Sequence, residues 1–151
     1  MIRKFLVVLL AAGLGAGAAT SVHAQAKPED QVKYRQATMT MSGRSVAALT
    51  AMVRGDVPFN ATLAAQHARV IADVSDLPLL AGAWGPGTNV GTHKSDPKVW
   101  SEPEKFQAAY QTYVTAARAL PAAAGEQKTL QAALGDLGRT CKGCHDSYRM
   151  K

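Results

Sequence analysis

The chain ends in the segment "CKGCHDSYRMK", which places Cys141, Cys144 and His145 in the order C-x-x-C-H. These are the only two cysteines in the sequence. The pattern is typical of covalent haem attachment, in which each cysteine forms a thioether with a vinyl group and the histidine is an axial ligand of the iron. We therefore expect one haem c per chain, bound through Cys141 and Cys144, with His145 as the iron ligand.

Other uses of the two cysteines fit less well. A disulfide between them would close a very short loop and constrain little. A dithiol redox motif normally opens a helix after a strand, and no strand pattern precedes Cys141. A zinc site would need further ligands at metal spacing. The remaining histidines (His23, His67 and His93) are isolated in the sequence.

The motif continues the apolar face of a predicted helix that starts near Glu126. Apolar residues recur there at alternating spacings of four and three, which is the period of an amphipathic helix. They are Leu130, Leu134, Leu137, Cys141, Cys144 and Tyr148. Because both cysteines lie on this face, the haem is expected to enter the core of the fold.

Three further helices are predicted upstream. The first begins at Pro28 and ends at Gly55, with Val32, Met39, Val46 and Val53 on its apolar face. The second begins after Asn60 and ends at Pro78, with Leu63, His67, Val70 and Val74 inward. The third begins with a capping box formed by Ser101 and Glu104 and ends at Pro121. Its inward residues are Phe106, Tyr110, Tyr113, Ala117 and Leu120.

These patterns predict an all-α fold, an antiparallel four-helix bundle with haem in the bundle core. One long crossover loop, from Pro78 to Trp100, joins the second and third helices and carries Trp84. A loop of this length in a small domain is usually functional. The first helix also has small residues beside its apolar face (Gly43, Ala47, Ala48 and Ala51), which permit another helix to approach closely.

The first 24 residues resemble a secretory signal peptide. Arg3 and Lys4 precede an apolar run, and Val22-His23-Ala24 provides small residues before the expected cleavage site. The apolar run is too short and too rich in glycine for a membrane span of about 20 residues. We expect residues 1–24 to be removed and residues 25–151 to form one domain in the periplasm, without stable membrane insertion.

The net charge of +6 arises from scattered basic residues. Nucleic-acid binding normally requires a clustered basic patch, so it is not expected here. The charge favours solubility, or docking to an acidic partner or a membrane surface.

The second axial position of the iron is left open by the sequence. Met39 and His67 lie on inward faces and could each ligate it. The remaining possibility is an iron bound by His145 alone, with a crowded apolar distal side formed by Met39 and aliphatic residues. Such a side has no hydrogen-bond donor to stabilise oxygen but accepts NO or CO.

Several segments together resemble cytochrome c′, a family of c-type cytochromes with a C-terminal haem site. They are "AKPEDQVKYRQATM", "WGPGT", "VWS" and "CKGCHDSYR". The resemblance implies an exported four-helix bundle, commonly a homodimer, with five-coordinate high-spin haem c. By position, Arg35 and Gln36 match the pair near the haem propionates, and Arg149 matches the basic residue of the proximal pocket. Met39 matches the residue that blocks the distal site without ligating the iron.

The resemblance also bears on function. Members bind NO and CO, and some protect cells against NO. A gas-binding protein is therefore expected, with one-electron transfer to an unknown redox partner as the alternative. An enzyme such as a peroxidase is not expected, because haem peroxidases use distal acid–base groups.

Overall fold

The computed structural model describes residues 26–151, so the signal segment predicted for residues 1–24 lies outside the described residues. Four long helices form the bundle, and two short helices lie in the crossover between the second and the third long helix. In chain order the helices are α1 (Pro28–Arg54), α2 (Ala61–Val74), α3 (Leu77–Leu80), α4 (Lys98–Ser101), α5 (Pro103–Ala123) and α6 (Gln127–Tyr148). The predicted all-α bundle with one long crossover is confirmed.

Local signals explain most of the helix ends. Pro28 occupies the first turn of α1, and Glu29 and Asp30 place negative charge at its positive end. Gly55 ends α1 in the left-handed conformation at φ 80°, which glycine adopts without steric cost. Asn60 begins α2, since its side chain accepts a hydrogen bond from the Leu63 amide at 2.9 Å.

Two predicted ends of α5 are wrong. Ser101 closes the short helix α4, and α5 begins at Pro103 without a side-chain cap, so the capping box does not form. Pro121 lies inside the last turn, and α5 continues to Ala123.

The core is formed by large side chains from all four long helices, including Leu49, Ile71, Leu120, Leu130 and Leu137. The predicted inward face of α5 is correct throughout, because its five residues are all buried. In α6, Leu130 and Leu137 are buried, and the half-buried members of the predicted face pack against the core: Leu134, Cys141, Cys144 and Tyr148.

The predicted inward face of α2 is displaced by one residue except at Val74, which is buried as predicted. Ala64, Ala68 and Ile71 are fully buried, whereas Leu63 is 42% exposed. Alanine carries little weight in a hydrophobic pattern, yet its small side chain allows α2 to pack closely against its neighbours. In α1, Val32 is buried as predicted, whereas Met39, Val46 and Val53 are only partly buried.

The relative direction of the helices follows from contacts at the two ends of the bundle. Gln127 at the start of α6 donates to the Met52 carbonyl near the end of α1, at 3.2 Å. Phe106 at the start of α5 packs edge-on against Tyr148 at the end of α6, with ring centroids 5.3 Å apart. Thus α1 and α5 both begin at the end of the bundle where α6 finishes, and they run parallel. Within residues 26–151, no helix is long and apolar enough to cross a membrane.

The displaced face of α2 gives a direct test. Ile71→Ala removes a fully buried side chain, so the free energy of unfolding should fall by about 2–5 kcal/mol. Leu63→Ala is the matched control on the same helix and should change it by less than about 0.5 kcal/mol. Urea denaturation of both variants measures the difference. An equal loss in the two variants would contradict the burial described for α2.

Candidate functional site

A cavity of about 730 Å³ opens at the end of the bundle where α1 and α5 begin and α6 finishes. Its volume lies within the range typical of cofactor and ligand sites. Three helices and the crossover loop supply the wall. The lining includes Arg35, Gln36 and Met39 from α1, Trp84 and His93 from the loop, Phe106 and Tyr110 from α5, and Cys144, His145, Tyr148 and Arg149 from the end of the chain.

The helix α6 presents the C-x-x-C-H residues to this cavity. Cys144 and His145 line it, and Cys141 packs half-buried against the core one turn earlier. Burial raises the pKa of both thiols. Desolvation, and then the charge of Arg149, lowers the pKa of His145. A lowered pKa favours the neutral imidazole, which is the form that ligates a metal.

Arg35 is a buried cation with donors to spare. Its side chain is 3% exposed, and its Nη1 atom donates to the carbonyl oxygens of Ala83 at 2.6 Å and Thr88 at 3.1 Å. The guanidinium also lies over the ring of Trp100, 5.4 Å from its centroid. Its Nε and Nη2 atoms have no hydrogen-bond partner. Burial lowers the pKa of Arg35, so an anion beside it would relieve a cost of desolvation.

These features fit haem c. The unpaired Nε and Nη2 donors of Arg35 can form the two-pronged bond that a guanidinium makes with a carboxylate, and haem carries two propionates. Gln36 donates one amide hydrogen to the Thr92 carbonyl at 3.0 Å, which leaves its second amide hydrogen for the same purpose. The apolar and aromatic part of the wall suits the faces of a porphyrin. The thiols and the imidazole are at the C-terminal side of the same cavity.

Arg149 follows the last helix and does not continue it, since α6 ends at Tyr148 and Arg149 is extended. Its backbone pairs with Ser95 in an isolated antiparallel bridge. The Asp96 amide donates to the Tyr148 carbonyl at 2.9 Å, and the Met150 amide donates to the Lys94 carbonyl at 2.8 Å. The end of the chain therefore holds the crossover loop, while Arg149 still lines the cavity near His145.

The two candidates for a second axial ligand are separated by the structure. Met39 lines the cavity from α1. His67 is not among the residues of its wall, and the His67 Nδ1 atom instead lies 3.4 Å from the Ser45 hydroxyl. His93 also lines the cavity, but its Nδ1 atom accepts from the Ser95 amide and its ring lies against Trp100, beside Arg35.

Aromatic residues of the wall were missed as site residues by the sequence reasoning. Only Met39 and aliphatic residues were expected opposite His145. Yet Trp84 lies edge-on to Phe106 and to Tyr110, and these two rings are tilted against each other, with centroids 4.9 to 5.8 Å apart in the three pairs. The Tyr110 hydroxyl is buried and has no hydrogen-bond partner. Phe106 and Tyr110 were predicted to face inward. Their position near the start of α5, at the open end of the bundle, could have identified them as site residues.

Comparison with known proteins agrees with this geometry. Residues 30–149 match the family model described as Cytochrome C'. The chain is 39% identical to cytochrome c' of Alcaligenes xylosoxydans xylosoxydans, over 83% of this chain and 98% of that protein. It superposes with a TM-score of 0.75 on the crystal structure of cytochrome c' from Rubrivivax gelatinosus, at 37% identity, over 81% of this chain and 96% of that one. The chain belongs to the cytochrome c′ family.

Members of this family carry covalently attached haem c, so the cofactor predicted for this cytochrome c′ is confirmed. Related structures also show small ligands. One is the nitric oxide complex of a leucine-to-alanine mutant of the Alcaligenes xylosoxidans protein, with a TM-score of 0.75 at 39% identity, over 83% of this chain and 98% of that one. Another is a carbon monoxide-bound variant of the same protein, with the same TM-score, identity and coverage.

Replacing Arg35 should increase the mobility of the crossover loop and weaken the part of the cavity wall expected to bind the haem propionates. Arg35→Met keeps much of the side-chain volume but removes the bonds to Ala83 and Thr88, so the free energy of unfolding should fall by about 2 kcal/mol or more. Hydrogen exchange should accelerate at the Ala83 and Thr88 amides, which mass spectrometry can follow. Lys33→Met, an exposed change on the same helix, is the control. Unchanged exchange in Arg35→Met would contradict the role given to the guanidinium.

Proposed function

We propose that this cytochrome c′ is a periplasmic protein that binds NO and CO at five-coordinate, high-spin haem c and sequesters NO. The observation that carries the proposal is the composition of the cavity wall. His145 is supplied by α6, and the side chain that lines the cavity from α1 is Met39, the position that blocks rather than ligates in the family. His67, the other candidate ligand, lies in the middle of α2, with its Nδ1 atom 3.4 Å from the Ser45 hydroxyl of α1.

Each residue of the site has a defined part in this function. Cys141 and Cys144 bind the cofactor covalently, and His145 ligates the iron. Arg35 and Gln36 hold the propionates. Met39 fills the part of the cavity opposite His145, where it excludes water and restricts the access of small molecules. Haem c, when bound by these residues, would supply an iron atom that can take up a small gas molecule.

Arg149 acts on the proximal side. Its positive charge lies near His145, and it contributes to the lowered pKa of that imidazole. A cation at this place draws electron density from the imidazole, so His145 would be a weaker electron donor to the iron. A weaker bond between His145 and the iron would make the site more receptive to NO.

The gas ligands of the relatives support the same conclusion. Variants of the Alcaligenes xylosoxidans protein are known with nitric oxide and with carbon monoxide, in structures that superpose on this chain. Binding rather than catalysis is proposed, because the cavity offers no good acid–base group on the side of Met39. Burial raises the pKa of Tyr110, so its phenol is a poor proton donor for peroxidase chemistry.

A one-electron carrier is the second candidate. It is favoured by exposure at the mouth of the cavity, where both His145 and Arg149 reach the surface. An exposed cofactor edge permits outer-sphere electron transfer. Without Arg3 and Lys4 of the removed segment, 15 Lys and Arg face 11 Asp and Glu, and this net charge of +4 favours an acidic redox partner.

A homodimer formed through α1 also belongs to the proposal. Gly43 and Ala47 are exposed, and nothing lies within 4 Å of the position that a side chain at Gly43 would take. Small exposed residues on a long helix allow a second helix to approach closely. Export through residues 1–24 places the proposed dimer in the periplasm.

The absorption and resonance Raman spectra of the ferric and ferrous protein test the coordination. We expect high-spin marker bands and no charge-transfer band from methionine to iron. NO and CO should each bind the ferrous form, and the spectrum of the NO adduct shows whether His145 is displaced. A low-spin spectrum with the methionine band would favour electron transfer as the function.

Shortening Met39 should open the gas site. Met39→Ala removes the side chain that fills the cavity from α1, so CO association should accelerate about tenfold or more, equivalent to about 1.4 kcal/mol of steric barrier. Laser photolysis of the CO adduct measures the rate. Met41→Ala, an exposed methionine on the same helix, is the control and should leave it unchanged. An unaltered rate in Met39→Ala would show that another group limits access.

A further inference from the structure

Tyr110 carries a polar atom that the protein itself does not satisfy. The residue is 2% exposed, and its hydroxyl has no hydrogen-bond partner although it lines the cavity. Tyr113, one turn later on α5, is buried too, but its hydroxyl lies 3.0 Å from the Ser42 hydroxyl. An unsatisfied buried hydroxyl costs about 1–3 kcal/mol, so its retention points to an acceptor in the cavity.

The Tyr110 ring is fixed by its neighbours. Trp84 lies edge-on at 4.9 Å between ring centroids, Tyr113 at 5.5 Å, and Phe106 is tilted at 5.8 Å. A ring packed on three sides cannot swing its hydroxyl into solvent. This packing therefore fixes the orientation of the Tyr110 hydroxyl in the wall of the cavity.

The height of Tyr110 along the bundle follows from helix geometry. Since α1 and α5 run parallel, the contact between Ser42 and Tyr113 fixes their register. One turn back on each helix lie Met39 and Tyr110, so the two are level. Arg35 lies a further turn back, level with Phe106. The carboxylates expected at Arg35 thus lie one turn away from the level of Tyr110 and Met39.

We propose that the Tyr110 hydroxyl donates a hydrogen bond to the gas molecule held beside Met39 and thereby favours NO over CO. The inference rests on the proposed gas-binding function and adds a determinant of ligand preference to it. NO bound to ferrous haem carries more negative charge on its outer atoms than CO does, so it is the better acceptor. Burial raises the pKa of Tyr110, which keeps the hydroxyl protonated and able to donate.

The matched pair Tyr110→Phe and Tyr113→Phe tests the inference in the haem-loaded protein. Each change removes one hydroxyl and keeps the ring. In Tyr110→Phe the affinity for NO should fall roughly 2- to 12-fold, as expected for one hydrogen bond, with a smaller loss for CO. The infrared stretching frequencies of bound NO and CO should rise, because a donor to the ligand lowers them. Tyr113→Phe should lose thermal stability but retain the affinities and frequencies of the unmodified protein.

The outcomes separate the two claims. If the unmodified protein binds neither gas, the proposed function is wrong. If it binds both and Tyr110→Phe has the same affinities and stretching frequencies, the function stands and the inference is overturned. Equal losses for NO and CO without a frequency shift would also overturn it, since they would show a packing role. If Tyr110→Phe changed the midpoint potential of the haem but not the stretching frequencies of the bound gases, the Tyr110 hydroxyl would be donating to the Cys144 sulfur. That result would overturn the inference as well.

Discussion

The bonds from Arg35 to the carbonyl oxygens of Ala83 and Thr88 are the interaction on which the site depends. A guanidinium buried in α1 costs free energy unless it is bonded, and the crossover loop supplies two of its acceptors. These hydrogen bonds attach the crossover loop to the bundle, and the loop forms one wall of the cavity. Trp100 covers the same guanidinium and donates its indole N–H to the Thr88 hydroxyl at 3.2 Å. Arg35 in α1 thus fixes the position of the crossover loop, which has no long helix of its own.

The loop is held a second time by the end of the chain. Ser95 pairs with Arg149, and the neighbouring amides of Asp96 and Met150 complete the connection. One anchor comes from α1, which carries Met39, and the other comes from the residues that follow α6, the helix that carries His145. Loop position, access beside Met39 and the surroundings of His145 are therefore mechanically linked. A change at the C-terminus can alter the cofactor site without touching a cofactor ligand.

The sequence allowed the helices, the haem motif and its place on the inner face of α6 to be predicted, because these depend on local periodicity and on a short motif. The packing of α2 could not be predicted, because Leu63 contributes more to a hydrophobic pattern than alanine does, whereas close packing of the helices buries the alanines. The extended Arg149 could not be predicted either, because that conformation is fixed by pairing with Ser95, a residue more than fifty positions away. The aromatic wall depends on how the loop folds over α5, which no local pattern encodes.

Polar residues on the buried face of α1 decide what the cavity can hold. Four are buried there: Arg35, Thr38, Ser42 and Ser45. The hydroxyl groups among them find partners within the protein. In the part of the chain that the structure describes, the buried side-chain polar atoms without partners are Arg35 Nε, Arg35 Nη2 and Tyr110 Oη, and both residues line the same cavity. The occupant must therefore present an anionic acceptor at the level of Arg35 and a second acceptor one turn deeper. A haem propionate meets the first requirement, and a gas molecule beside Met39 meets the second.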